Sequence, residues 1–393
     1  MASGFILVRS MCKPDYAWFT IAMGAMATIG ILADSGLGSA FTSLGGKTYK
    51  ELPVISGLAQ LVRRKRLKFM IAASCITSPF VGWALLENDA SPRTTVALSA
   101  IVILAVIPST DSVVLVTVNK LYGRVKNLMA ADLTLSLTKL MLITGICLTG
   151  VSATTATACV LMALWTQTIL LRRQTADVLA TRPAEVQHYH REIRQTVAHV
   201  MPTSIFTCFQ GQLATYILTF YASASQVADL GALTRTAVMF TFLTIPFLQI
   251  VIPHIARSQE RTHLKLVIYK AMLACVASSM FLVFISHSCS SWILRLLGEQ
   301  YTALDSELSI FVAVSALGFV ANAFWQILFS RSWVTHGWTL IPTTLLMQIS
   351  SLPLFDFSQV ADVIMFSAVT HVAAITVGAC LMLRGFGHEF SRK

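Results

Sequence analysis

The chain has 393 residues, of which 55% are hydrophobic and only 12% charged, and a mean hydropathy of +0.70. Soluble domains carry about a quarter charged residues, so a water-soluble fold of this length is excluded. The excess of 29 Lys and Arg over 18 Asp and Glu does not mark a nucleic-acid binder, because the cations lie between apolar runs and not on one polar face.

About twenty apolar residues make one membrane span. In chain order the sequence predicts spans over 18–40, 69–86, 95–118, 128–148, 153–171, 198–221, 227–252, 266–286, 308–329, 334–354 and 363–383. An apolar stub at 4–9 reads as the tail of a further helix whose beginning is missing, giving an all-α polytopic membrane protein of about twelve transmembrane helices with the first truncated. The stub has neither a basic leader nor a small-residue cleavage site, so it is not read as a signal peptide. The runs are too long and uniformly apolar for the alternation of a membrane barrel.

Loop charge tests this division, since Lys and Arg accumulate on the cytoplasmic side of short loops. Taken alternately, one set of connections holds 22 basic residues, from Lys47, Lys50 and the Arg63–Lys68 run to Arg392 and Lys393. The other holds only Arg9, Lys13, Arg93 and Arg295, beside Asp15, Glu87, Asp89, Glu299, Asp305, Glu307, Asp356 and Asp362. The first set is therefore expected to be cytoplasmic, with the C-terminus inside. Residues 47–68 mix Leu52, Val54, Ile55, Leu58, Leu61 and Val62 with cations, which predicts an amphipathic helix on the inner leaflet, with a solvated linker as the alternative. The polar stretch 173–196 is expected to divide an N-terminal lobe, 1–172, from a C-terminal lobe, 197–393. Its His188 and His190 lack acidic or cysteine partners and read as surface histidines. The eight cysteines show no metal or disulfide spacing and read as small packing residues.

Ionisable groups within spans are costly and hence candidate functional residues. Removing the loop charges leaves two cations, Lys139 in the fifth span and Arg235 in the eighth, counting the stub as the first. At ~1.5 Å per residue they lie about 18 Å and about 12 Å from opposite ends of their helices. Across a core ~30 Å thick both depths fall near the midplane. One cation from each half predicts a cavity that grips a phosphate. The competing reading pairs Lys139 with Asp111 or Asp132, and Arg235 with Asp229. Gln210, Gln212, Tyr216, Gln249, Asn322 and Gln326 are candidate cavity-lining groups, although interhelical hydrogen bonding explains them equally well. Asp34, Asp111 and Asp132 are the candidates for binding a coupling ion. Pro108, Pro202, Pro246, Pro253, Pro342 and Pro353 predict bent helices. No phosphate-binding glycine loop, G-x-S-x-G or H-E-x-x-H occurs, so no enzyme activity, cofactor or metal is expected.

Four stretches carry a resemblance. Arg9-Ser10-Met11, followed by Lys13-Pro14-Asp15-Tyr16-Ala17, is similar to an "R-x-L-x-P-x-x-Y-G" link, with Ala17 in place of the glycine. The others are Asp34-Ser35-Gly36-Leu37-Gly38-Ser39-Ala40, the segment from Val227 through Arg235 to Ile252-Pro253-His254-Ile255-Ala256, and Leu296-Leu297-Gly298-Glu299-Gln300-Tyr301-Thr302-Ala303, similar to "G-x-x-Y-x-x-A". In order and spacing they resemble the polysaccharide-biosynthesis or O-antigen flippases, of the superfamily that also holds the peptidoglycan-precursor flippases and the multidrug and toxin extrusion antiporters. The resemblance implies two six-helix lobes in a V, alternating access, a monomer in the bacterial inner membrane, and a cationic cavity for a polyprenyl-pyrophosphate-linked oligosaccharide. Arg235 falls on the eighth-helix pattern; Lys139 rests on depth alone. Membrane lipids and the glycosyltransferases and polymerase of such a pathway are the other expected partners. A cation-coupled multidrug antiporter relying on Asp34 or Asp111, and a non-transporting scaffold for glycan assembly, are the alternatives.

Overall fold

In a computed structural model, the chain is described over residues 2–48, 50–148, 150–184, 186, 189–257, 261–331, 333–334 and 336–391, excepting the side chains at 2, 47, 199, 249, 253, 256, 257, 261 and 387–391. Among these residues the protein is all helical. Its helices are α1 (Ala2–Ser10), α2 (Lys13–Asp34), α3 (Leu37–Thr48), α4 (Leu52–Glu87), α5 (Pro92–Leu121), α6 (Val125–Cys147), α7 (Ala153–Gln174), α8 (Ala176–Leu179), α9 (Tyr189–Tyr221), α10 (Ala224–Leu233), α11 (Val238–Pro246), α12 (Ile252–Arg257), α13 (Arg261–Ser288), α14 (Ser290–Leu297), α15 (Asp305–Ser330), α16 (Leu340–Ser351) and α17 (Val360–Ser391). Nine helical segments among the described residues are long and apolar enough to cross a bilayer. The expected spans at 198–221 and 334–354 fall outside that group. The first belongs to α9, whose N-terminal third is polar, and the second is a 12-residue helix flanked by 3-10 turns.

The chain divides into two compact units, one of residues 1–215 with 223–228, the other of 216–222 with 229–393. In the first, α2, α4, α5, α6 and α7 pack side by side, with α1 against α6. The second is built on α15, which packs against α13 and α17, with α16 beside α17.

Two local structures depart from the sequence reading. The run 18–40 is not one helix, because α2 stops at Asp34 and the chain turns. Ser35 takes the left-handed conformation (φ 37°, ψ 38°) as its N–H closes on the Ile31 carbonyl, and Gly36 follows at φ 87°. Asp34 Oδ1 then accepts the Gly38 N–H at 3.0 Å, satisfying one of the donors that the first turn of α3 leaves open. The Asp-Ser-Gly signal thus ends one helix and begins the next, overriding an unbroken apolar composition.

The second departure concerns 52–68. This stretch does not form a separate leaflet helix: it is the N-terminal half of the 36-residue α4. Ile55, Leu58, Ala59 and Val62 are buried within the first unit against Leu37, Ala40 and Phe41 of α3, Val114 and Val118 of α5, Val178 of α8, and Ile193 and Val197 of α9. Full burial of a Val, Leu or Ile contributes about 1.5–3 kcal/mol, so Ile55, Leu58 and Val62 alone outweigh any single loop contact. The segment after α8 closes over this face. Ser56 Oγ donates to the Thr181 carbonyl at 3.1 Å, and Ala184 N–H donates to the Pro53 carbonyl at 2.9 Å. Gly57 is required there, since a Cβ would meet the Ala184 carbonyl oxygen at 2.6 Å.

The motif residues at the start of α2 have structural duties. Asp15 Oδ1 accepts the Ala153 N–H at the start of α7 at 3.0 Å, Tyr16 and Ala17 are fully buried, and Trp18 Nε1 donates to the Asn88 carbonyl. Tyr301 of the later motif is likewise fully buried.

On the polar side, Arg124 just before α6 donates through Nη1 to Asp177 Oδ1 of α8 at 2.9 Å. The Arg124 guanidinium holds the Asp177 carboxyl below its ordinary 3.8. A carboxylate depressed in the folded state stabilises fully above that ordinary value and loses its contribution as pH falls through the lower folded one. Asp177 is 59% exposed, so solvent screening keeps the pair below about 1 kcal/mol. Asp177→Asn should lower the unfolding temperature slightly at pH 7 and by progressively less as pH falls below 3.8, as read by thermal unfolding in detergent across that range.

Candidate functional site

Charge inside the first unit is organised around two carboxylates. Asp111, in α5 just after Pro108, has a side chain 7% exposed and receives Arg63 Nε of α4 on Oδ1 at 2.8 Å and Arg172 Nε of α7 on Oδ2 at 2.7 Å. One buried carboxylate therefore ties three helices through charge-assisted hydrogen bonds, the stronger kind. One turn beyond Arg63, Arg66 reaches Asp34 Oδ1 through Nη2 at 3.2 Å, joining α4 to the end of α2. Arg66 was expected in a loop; its side chain is 3% exposed, and its Nε and Nη1 have no acceptor among the described residues. Such a group carries a desolvation cost, which the ion pair with Asp34 offsets in part.

The three coupling-ion candidates are thus each engaged. Asp34 holds Arg66 and the Gly38 N–H, and Asp111 holds two arginines. Asp132, exposed on α6, accepts the neutral Gln167 amide of α7, at 3.1 Å. Lys139 is half-buried on the same helix, most of whose surface is exposed. Gln210 and Gln212 of α9 are half-buried in the first unit, and Gln212 occupies the space over Gly24 of α2 that a Cβ would fill.

In the second unit Arg235 is half-buried and does not sit in a continuous helix. Residues 234–237 form turns between α10 and α11, with Arg235 N–H bonded to the Ala232 carbonyl and Thr236 N–H to that of Leu233. Pro246 then gives way to a π-helical turn, Phe247–Val251, before α12. The expected single span 227–252 is therefore interrupted by the turns at 234–237, and beyond Pro246 it runs on through the π-helical turn into α12. Gln249 lies in the π turn, and its side chain is outside the described set. Tyr216 is half-buried; Asn322 and Gln326, one turn apart on α15, bond to each other at 3.3 Å, with Asn322 exposed.

Two titratable groups escaped the sequence reading. Lys270 is a third cation inside an apolar segment, exposed on α13 two turns from its polar end. His371, in the middle of α17, is half-buried with its ring against Gly318 of α15. Screening the spans for histidine as well as for Lys and Arg would have found it.

No family model and no curated protein matches the chain. Solved structures do. One is an inward-facing multidrug resistance MATE family transporter of the MOP superfamily, with a TM-score of 0.78 and 13% identity over 98% of this chain and 93% of that one. The chain has the MATE-type transporter fold. The MATE multidrug transporter DinF-BH gives a TM-score of 0.66 at 14% identity, covering 97% of this chain and 90% of that one. A MOP superfamily transporter from Pyrococcus furiosus, described by its reversed binding-pocket polarity, gives 0.63 at 14% identity over 98% and 90%. At these identities the likeness establishes the architecture: a multi-pass, all-helical, two-lobed membrane protein.

Proposed function

We propose that the chain is an alternating-access transporter whose substrate is an anionic polyprenyl-pyrophosphate-linked oligosaccharide, moved across the bacterial inner membrane with the C-terminus on the cytoplasmic side. The observation that carries this reading is Arg235 at a break in a membrane-spanning segment. Non-helical backbone at membrane depth is tolerated only where protein buries it or a watery cavity receives it, and discontinuous helices are where transporters place charged substrates. Arginine stays charged and matches a phosphate with two parallel donors. A charged residue within a span is a candidate functional residue by default. Lys139 of the other lobe supplies the second cation in this reading.

A cation-coupled multidrug antiporter is the second reading, supported by the names of the solved structures that share the fold. It needs a carboxylate able to take up and release a cation. Asp34 and Asp111 are held by arginines, so Asp132, which accepts an amide, is the acid on which this reading rests.

Reconstituted proteoliposomes decide between the two. With a fluorescent polyprenyl-pyrophosphate oligosaccharide, Arg235→Ala should slow transfer about 10- to 100-fold, the loss of one charge-assisted contact. Arg235→Glu should abolish transfer, and Arg235→Lys should retain part of it. Unchanged transfer in Arg235→Glu would overturn the flippase reading, and dye efflux lost in Asp132→Asn would establish the antiporter.

A further inference from the structure

The pair of arginines on Asp111 presents a half-exposed surface. Arg63 and Arg172 each commit Nε to the buried carboxylate, which leaves their Nη groups for another acceptor; the side chains are 55% and 45% exposed. Two half-exposed guanidiniums from different helices are thus fixed on one anchor, with little side-chain freedom left to lose on binding. Their surroundings name the phase they face. On α4, exposed Leu67 and Ile71 lie one turn from exposed Arg64 and Lys68; on α7, exposed Ile169 lies one turn, and exposed Trp165 two turns, from Arg172 and Arg173. Both helices pass from an apolar face to a cationic one at the level of Asp111, as a bilayer passes from acyl chains to headgroups. Asp34 and Asp177 at this end are engaged by cations of their own, Arg66 and Arg124, and so do not neutralise the exposed positive face.

We propose that Arg63 and Arg172 form a phosphate cleft for an anionic phospholipid of the leaflet on the loop-cation side. Asp111 acts as the positioning residue, and Arg64, Lys68 and Arg173 supply the surrounding field. A phosphodiester oxygen takes the Nη donors of both arginines, and the acyl chains lie along Leu67 and Ile71. The inference rests on the membrane fold alone and is independent of the transported substrate. Basic clusters of this kind recognise anionic headgroups; the additional feature is their fixation by a buried acid.

The test is native mass spectrometry and thermal unfolding of the full chain in neutral detergent, titrated with phosphatidylglycerol, phosphatidylcholine or inorganic phosphate. Phosphatidylglycerol should bind at a 1:1 stoichiometry and raise the unfolding temperature, as any ligand selective for the folded state does. Arg63→Gln or Arg172→Gln should each weaken it about fivefold, the worth of one cation near a membrane surface. The variant R63Q/D111N/R172Q, which removes the cations together with the acid they neutralise and so leaves no unpaired buried charge, should lose the 1:1 species altogether. Equal retention of phosphatidylcholine would overturn the proposal, as would equal stabilisation by inorganic phosphate at matched concentration. Undiminished phosphatidylglycerol binding by the folded triple variant would overturn it too.

Discussion

Gly36→Ala will lower the stability of the first unit by about 2–5 kcal/mol, among the larger effects available from adding one methyl group. Two costs add. The residue sits at φ 87°, where a Cβ crowds the following carbonyl for about 1–2 kcal/mol. The new Cβ would also stand 2.7 Å from Val200 Cβ of α9, and forced overpacking of a fitted core costs about 1–3 kcal/mol. The components separate in a double-mutant cycle. Val200→Gly clears the overlap but not the backbone strain, so the pair should couple favourably by about 1–3 kcal/mol and leave the rest unrecovered. Unfolding of the four proteins in detergent measures this; strict additivity would show that α2, α3 and α9 do not meet as described.

Removing both arginines from Asp111 should cost more than removing Asp111 itself. In Asp111→Asn, Arg63 and Arg172, each about half exposed, turn to solvent, and the loss is about 1–2 kcal/mol once screening is counted. In the double variant R63Q/R172Q, a carboxylate 7% exposed keeps its desolvation without its cations, for about 3 kcal/mol. Restoring either arginine alone should recover most of that difference. Equal losses in the two variants would mean that Asp111 is better hydrated than its burial indicates. Denaturant unfolding monitored by tryptophan fluorescence reads all four.

The all-helical, multi-pass character was readable in the sequence because a span is recorded as length and composition, both local quantities. The helices at 95–118, 128–148, 153–171 and 308–329 appear in the structure a few residues longer, since polar first and last turns are helical without being apolar. The break at Ser35-Gly36 was written in plain turn chemistry and was masked by the hydrophobic residues on either side. The course of 52–68 was not readable, because an apolar stripe with cationic flanks looks the same whether it meets lipid or a neighbouring helix. What decided it was Val114, Val178 and Ile193, distant in sequence. The candidate site divides along the same line. Arg235 stood out because a charge in a span is conspicuous by itself, whereas the assignment of Asp111 to Arg63 and Arg172 joins three helices through contacts that no spacing encodes. Arg66 was counted among hydrated loop charges for the same reason: sequence shows the charge and not what covers it.

The unbroken α4 has a mechanical consequence. At about 1.5 Å per residue its 36 residues span about 54 Å, against about 30 Å of hydrocarbon, so roughly 24 Å of stiff rod projects from the bilayer. Its only interior proline, Pro79, lies in the embedded part, so no proline kink interrupts the projecting portion. A tilt of about 10° at the membrane boundary carries the tip about 4 Å and takes with it the chain at 179–184 that is bonded to that tip. Rearrangement among lipid-immersed helices is thereby geared into displacement in the aqueous phase, with α4 as the lever arm.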